Sequence, residues 1–166
     1  MVIVMMGVSG SGKTTVGRAL AEQLACPFYD GDDFHRPEQI AKMSAGTPLT
    51  DADRAPWLAD LHHLLHTHLA NGQMAVLACS ALKKSYRQQL QGNNNKVRFV
   101  YLQGAFEQIQ ARLVSRPEHY MPLALLHSQF QTLEPPGRDE ALTIDISHPI
   151  PHLIATIRHQ LNLTTP

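Results

Sequence analysis

Net charge is the first thing this sequence lacks: 14 Lys and Arg residues balance 14 Asp and Glu residues over 166 positions. With no field of one sign, broad attraction to nucleic acid or to an anionic membrane surface is excluded, and any bound anion must be held by a local site. Cysteine is scarce too. Cys26 and Cys79 share no metal-ligand spacing and are too few for a disulfide framework. Both lie in apolar stretches and read as small buried hydrophobes. No apolar run approaches the ~20 residues that a membrane-spanning helix needs. The first seven residues are apolar but carry no basic leader, and Gly-Ser-Gly-Lys follows at once where a signal peptide would have a small-residue cleavage site. A cytoplasmic protein is the expectation.

What remains is an ordinary folded composition, 43% hydrophobic and 17% charged. The length suits one domain able to bury roughly 70% of its unfolded surface without disulfide or metal. Val2–Met6 is a short unbroken apolar run ended by glycine, the mark of a strand buried on both faces of a parallel sheet. A helical stripe follows over Lys13–Leu24. Four further strands are predicted at Phe28–Tyr29, Gln73–Cys79, Val97–Leu102 and Leu142–Ile146. Helical patterns lie between them, at Leu82–Gln91, Phe106–Ser115, Leu123–Leu133 and His152–Leu161, and Asp51 or Asp53 is placed to cap a helix carrying Trp57, Leu58, Leu61, Leu65 and Leu69. Strands alternating with helices imply an α/β domain with a mainly parallel sheet and ligands outside the strands' carboxyl ends. Arg116–Pro122, with two prolines between two helices, reads as a mobile loop.

The segment Gly7-Val8-Ser9-Gly10-Ser11-Gly12-Lys13-Thr14 carries the first chemistry. Backbone N–H groups can surround a phosphate only along a chain path that glycine permits, and Gly7, Gly10 and Gly12 supply it. The helix beginning at Lys13 adds its positive end. Lys13 is placed to reach the β- and γ-phosphates of ATP, and the Thr14 hydroxyl to meet Mg²⁺. The pattern follows a buried strand and opens a helix, the context it requires.

A phosphate loop alone does not separate a GTPase, a motor ATPase and a kinase. No Asn-Lys-x-Asp guanine-reading segment occurs, and Asn93-Asn94-Asn95-Lys96 does not fit one. The chain is short for a motor. A kinase must also bind an acceptor and position its hydroxyl. Asp30 and Asp32 end the second predicted strand, and in an extended segment their side chains point opposite ways. One can then face Mg²⁺ while the other accepts the proton of the acceptor hydroxyl; Asp33 reads as a turn or capping residue.

Blocks beyond the loop make a resemblance specific. Asp30-Gly-Asp-Asp-Phe-His35, Lys42-Met43-x-x-Gly46-x-Pro48-Leu49-x-Asp51-x-Asp53-Arg54-x-Pro56-Trp57-Leu58 and Cys79-Ser80-Ala81-Leu82-Lys83-Lys84-x-Tyr86-Arg87 are similar to the bacterial gluconokinases. So are His119-Tyr120-Met121-Pro122 and Ser128-Gln129-Phe130-x-x-Leu133-Glu134, all in family order over nearly the whole chain. The resemblance implies a three-layer P-loop kinase fold over residues 1–166, with a five-stranded parallel sheet flanked by helices and a closing lid near 116–122. It implies transfer of the ATP γ-phosphoryl to the 6-hydroxyl of D-gluconate, and commonly a homodimer. Two departures stand out: His35-Arg36-Pro37-Glu38-Gln39 where the family usually reads His-Pro-x-x-Asn, and Glu118 where glycine is frequent.

On this reading Asp30 goes to the metal and Asp32 to the acceptor proton. Gluconate's carboxylate calls for a cation with a planar fork, and Arg54 suits it, unless it pairs with Asp51 or Asp53. His35 is a candidate for a substrate hydroxyl. Lys83 and Arg87, four apart, are candidates for the acceptor pocket, with a solvated basic face as the alternative. Arg112 and Arg116 run into the lid. Arg116 is assigned to the transferring phosphoryl group, hence catalytic with Lys13 and Asp32, and Arg112 to the nucleotide's edge. His62, His63 and His66 share a helix side, where exposed polar residues explain them as well as a metal does. The remaining alternatives are another small acceptor, such as shikimate or a nucleoside monophosphate, and a nucleotide sensor without turnover.

Overall fold

The computed structural model describes residues 1–115 and 123–163, so the segment expected to form the lid, Arg116 included, lies outside the described residues. Strand β1 (Val2–Met6) is buried along its whole length. It leads through the phosphate loop into helix α1 (Lys13–Gln23), then to β2 (Phe28–Asp30) and a 3-10 turn over Gly31–Phe34. Helices α2 (Pro37–Ser44) and α3 (Asp51–Ala70) precede β3 (Ala75–Ala78). The chain continues through α4 (Lys84–Gln91), β4 (Val97–Gln103), α5 (Phe106–Val114), α6 (Leu123–Thr132), β5 (Ala141–Asp145) and α7 (Ile150–Gln160).

All five strands are parallel, in the order β2-β3-β1-β4-β5. β1 is central: all five of its residues are buried, and β3 and β4 cover its two edges. Its side chains alternate: Ile3 and Met5 join Val16 and Leu20 of α1 and Leu153, Ile154 and Ile157 of α7. Val2, Val4 and Met6 join Trp57, Leu58, Leu61 and Leu65 of α3, with Leu90 of α4. Each such side chain taken from water contributes ~1.5–3 kcal/mol. The two helical layers thus grip one strand, and the loop that leaves its carboxyl end starts from a fixed point.

Cys79 is buried beside this loop, and burial pushes its thiol up to about 12, so it behaves as the small hydrophobe the sequence suggests. Three local expectations are corrected. Thr50, not an aspartate, caps α3: its hydroxyl accepts from Asp53 N at 3.1 Å, while Asp53 Oδ2 accepts from Thr50 N at 2.8 Å. Helix α2 has no counterpart in the sequence reading, because its eight residues are mostly exposed and show no long apolar stripe. His62 and His66 stack at 3.9 Å and meet the carbonyls of Gln89 (2.8 Å) and Gln91 (3.2 Å), closing the carboxyl end of α4.

Arg87 is the fourth correction. It neither lines a pocket nor belongs to a solvated face: its side chain is 1% exposed. Nε and Nη2 donate to Glu140 at 2.6 and 3.2 Å, and Nη1 donates to the carbonyls of Ala81 and Leu82 at 3.1 Å each. Lys83 sits outside the helix as its N-terminal cap, so the i,i+4 pairing of the two cations is lost. Arg87 instead pins the β3–α4 turn, where Ala81 holds a φ of 45°. Glu140→Ala would leave a buried guanidinium without its counter-charge, and a loss of about 3–5 kcal/mol is expected in urea denaturation. A loss below about 1 kcal/mol would contradict the pairing.

Candidate active site

The phosphate loop folds as its glycines require. Gly7 has a φ of 140°, and a Cβ there would stand 2.9 Å from both the Leu102 carbonyl and Ser11 Oγ. Gly12 caps α1 at a φ of 96°, with no side chain competing for the free N–H groups and no acidic residue in the first turn. The helix end is therefore left positive for an anion. Gly7 N donates to the Ser80 carbonyl at 3.2 Å, which ties the loop's entrance to the β3–α4 turn.

Lys13 Nζ donates to the Val8 carbonyl at 3.0 Å. Dehydration lowers its ammonium below the usual lysine range, opposed first by the charge of Asp32 and then by that of Asp30. A cation held in this way gains strongly from an arriving phosphate. Thr14 Oγ1 donates to Asp30 Oδ2 at 2.9 Å, so the two oxygens assigned to a metal do converge. Ser9 is different: its N–H already donates to Gln129 Oε1 at 2.7 Å.

Asp30 and Asp32 meet in a way the sequence does not suggest. The chain curls into the 3-10 turn at once, and Asp30 Oδ1 accepts from Asp32 N at 3.2 Å. The alternating geometry of a strand therefore does not apply. Dehydration in the cleft, then the charge of Asp30, push the Asp32 carboxyl up, against the pull of Lys13 and His35. The Asp32 side chain itself stays 87% exposed, so solvent screens these effects. Such a carboxylate is better prepared to accept a proton than an ordinary one.

His35 stands 3.8 Å from Asp32 and is held on three sides. Its ring stacks on Trp57 at 4.5 Å and 15°. Its Nδ1 lies 3.2 Å from Gln39 Oε1, which also accepts from Arg36 N at 2.9 Å. Gln39 is 5% exposed, and its Nε2 donates to the Asp53 carbonyl. The His-Arg-Pro-Glu-Gln departure is thus built into the fold: Gln39 orients His35, and Arg36 pairs with Asp60 at 2.9 Å. Trp57 Nε1 donates to the Gly31 carbonyl at 2.7 Å, so α3 carries both the base of the aspartate turn and the platform for His35.

Arg54 lies one helical turn before Trp57. Its Nη1 donates to the Leu49 carbonyl at 2.5 Å and stands 4.0 Å from Asp51. Asp53 pairs instead with Lys42 at 2.6 Å, and that partner first, then Thr50, lowers its carboxyl to about 2. Lys83 is paired with Asp51 at 2.7 Å, and Tyr86 Oη donates to the same carboxylate at 2.5 Å. Arg112, near the end of α5, donates from Nη2 to the Ile146 carbonyl at 2.5 Å, on the helix whose Leu113 touches Gly10.

The shikimate kinase family model matches residues 9–138. A gluconokinase of Gluconobacter oxydans is 49% identical over 160 residues, covering 95% of this chain and 89% of that protein. The crystal structure of a gluconokinase from Sinorhizobium meliloti superposes with a TM-score of 0.82 at 41% identity, covering 96% of this chain and 94% of that one. An unliganded sugar kinase from Janibacter reaches a TM-score of 0.90 at 40% identity, with 98% and 95% covered.

The chain belongs to the gluconokinase family. Identity at this level over nearly the whole length is the narrower finding, and the shikimate kinase match describes the wider P-loop group around it. The resemblance read from the Asp30–His35, Lys42–Leu58 and Cys79–Arg87 blocks is therefore borne out. In this gluconokinase-family chain the sequence reading missed Trp57, Gln39, Tyr86 and Gln129 as site-building residues. Three of them were already visible inside the quoted blocks, but their partners are distant in sequence, so no spacing announced what they do. Gln39 showed only as a departure from the family pattern.

The Asp32 shift has a consequence for stability. A carboxyl whose folded-state value is raised favours folding while protonated; that contribution is present below the ordinary carboxylate value and lost as pH rises through the raised one. At neutral pH Asp32 opposes folding. Asp32→Asn is expected to raise the melting temperature at about pH 7, with the gain gone near about pH 3. Calorimetry at the two pH values checks this, and a lowered melting temperature at neutral pH would show Asp32 to be stabilising.

Proposed function

We propose that the protein transfers the γ-phosphoryl group of ATP to the 6-hydroxyl of D-gluconate, giving 6-phospho-D-gluconate and ADP. The observation that carries this is the 49% identity to a gluconokinase along 95% of the chain, acceptor-side blocks included. The gluconate C6 oxygen attacks the γ-phosphorus, its proton passes to the Asp32 carboxylate, and the bond to the ADP oxygen breaks. Lys13 and the loop amides of Gly10, Ser11, Gly12 and Thr14 hold the phosphates, with Gly7 and Val8 shaping the turn. Thr14 and Asp30 are hard oxygen donors that would hold Mg²⁺, which when bound would offset phosphate charge. His35 takes a substrate hydroxyl, and Arg54 with Lys83 faces the carboxylate. Arg112 borders the nucleotide, and Arg116, outside the described residues, covers the transferring group. No helix among the described residues is long and apolar enough to cross a membrane. A cytoplasmic homodimer completes the proposal, and light scattering tests the dimer.

A second reading follows from the shikimate kinase match over residues 9–138: a cyclic hydroxy acid as acceptor. A coupled assay over a panel of sugar acids and shikimate, with mass spectrometry of the products, separates the two. ADP release with gluconate and a product heavier by one phosphoryl group is expected. Turnover with shikimate alone would overturn the proposal. Lys13→Ala should cut kcat by roughly 10²–10³, because the cation acts on charge that develops in transfer. Arg54→Ala should raise KM for gluconate by roughly 10–100-fold with KM for ATP little changed. Equal losses for both substrates would make Arg54 a structural residue.

A further inference from the structure

Ser128–Glu134 is a stretch that the proposed chemistry leaves unused. Gln129, on α6, meets Ser9 of the phosphate loop across 120 positions of sequence. Its Oε1 accepts from Ser9 N at 2.7 Å, and its Nε2 donates to Ser9 Oγ at 3.1 Å. A primary amide carries an acceptor and a donor in one rigid plane, so it satisfies both groups of Ser9 together. Farther along, Glu134 N donates to the Leu82 carbonyl at 2.9 Å, and Glu134 Oε2 accepts from Lys84 N at 2.6 Å. Leu82 belongs to the turn whose Ser80 carbonyl takes Gly7 N. The contacts therefore close a ring, from Gly7 through Ser80 and Leu82 to Glu134, back along the chain to Gln129, and so to Ser9.

We propose that Gln129 is a positioning residue for ATP: its amide fixes Ser9 and turns that N–H away from the anion, so that the following loop amides face the phosphates. This rests on the reading of Gly7–Thr14 as the ATP loop. Ser9 precedes Gly10, whose left-handed φ of 80° only glycine adopts readily and which packs against Leu113, so holding Ser9 sets the direction in which the loop enters that turn. Helix α6 has its own anchors. Leu126 is 1% exposed in the core, and Phe130 meets Phe106 edge-on at 5.3 Å. Loss of the Gln129 amide therefore leaves the helix seated.

Gln129→Met keeps the side chain's length and removes both hydrogen bonds. KM for ATP should rise roughly tenfold, as two neutral hydrogen bonds imply. KM for gluconate at saturating ATP and the melting temperature should stay near those of the natural protein. Gln129→Glu should raise KM for ATP further, since it sets a negative charge beside the loop. Glu134→Ala should leave KM for ATP within about twofold. Unchanged KM for ATP in Gln129→Met, or equal rises for both substrates, overturns the proposal. If Gln129→Met does not fold, Ser9→Ala removes one of the two bonds alone, and a KM for ATP that does not rise overturns it as well. Titration with a fluorescent ATP analogue separates the two levels. No binding by the natural protein sinks the ATP-loop reading itself, whereas equal binding by the natural protein and Gln129→Met sinks only the role of Gln129.

Discussion

A loop that must turn its backbone N–H groups toward an anion cannot pack a core of its own. Gly7–Thr14 is held from outside, and several of the structure's long-range polar contacts bear on that task. Below it, β1 is buried on both faces and fixes where the loop starts. Beside it, Ser80 and Gln129 take the N–H groups of Gly7 and Ser9. Arg87 and Glu140 lock the turn that carries Ser80, two elements away from any phosphate. The same turn is also tied by Gly7 N to the Ser80 carbonyl and by Glu134 N to the Leu82 carbonyl, so the buried guanidinium is one of several cross-links there.

The acceptor side follows the same logic with different groups. The aspartate turn hangs from Trp57 through the Gly31 carbonyl, and His35 lies on the indole face. Gln39 then ties His35 to the backbone of α3 at Asp53. The members of this chain are joined by hydrogen bonds and a ring stack, not by ion pairs. The charged groups proposed to meet substrate are displaced from their ordinary values, Lys13 lowered and Asp32 raised, by dehydration first. Sites of this kind trade stability for chemistry.

Much of this was legible in the sequence. The five strands were read in place because parallel strands buried on both faces are continuous apolar runs, and the phosphate loop because its glycines sit at fixed spacing. Helix α2 was not, since its mostly exposed residues show no long apolar stripe. Asp30 and Asp32 were read as strand residues, but Gly31 lets the chain curl immediately, close against the Ala78 carbonyl. Arg87 shows the general limit. Its spacing from Lys83 is helical, yet whether it faces solvent or a buried carboxylate depends on Glu140, more than fifty residues later, and no local pattern carries that fact.

The strand order has a consequence in time. β1 is made first but lies between β3 and β4, so neither of its edges can pair until residues 75–78 and then 97–103 have been synthesised. At about 5–20 residues per second, the most apolar segment of the chain waits several seconds for its neighbours. Its partners are separated from it by long loops, which makes closure entropically slow. During that interval Val2–Met6 is an open, uncharged β-segment of the kind that pairs with other chains. The strand that anchors the phosphate loop in the finished fold is thus an aggregation hazard in the nascent chain, and its covering by α1 and α3 is a folding requirement before it is a catalytic one.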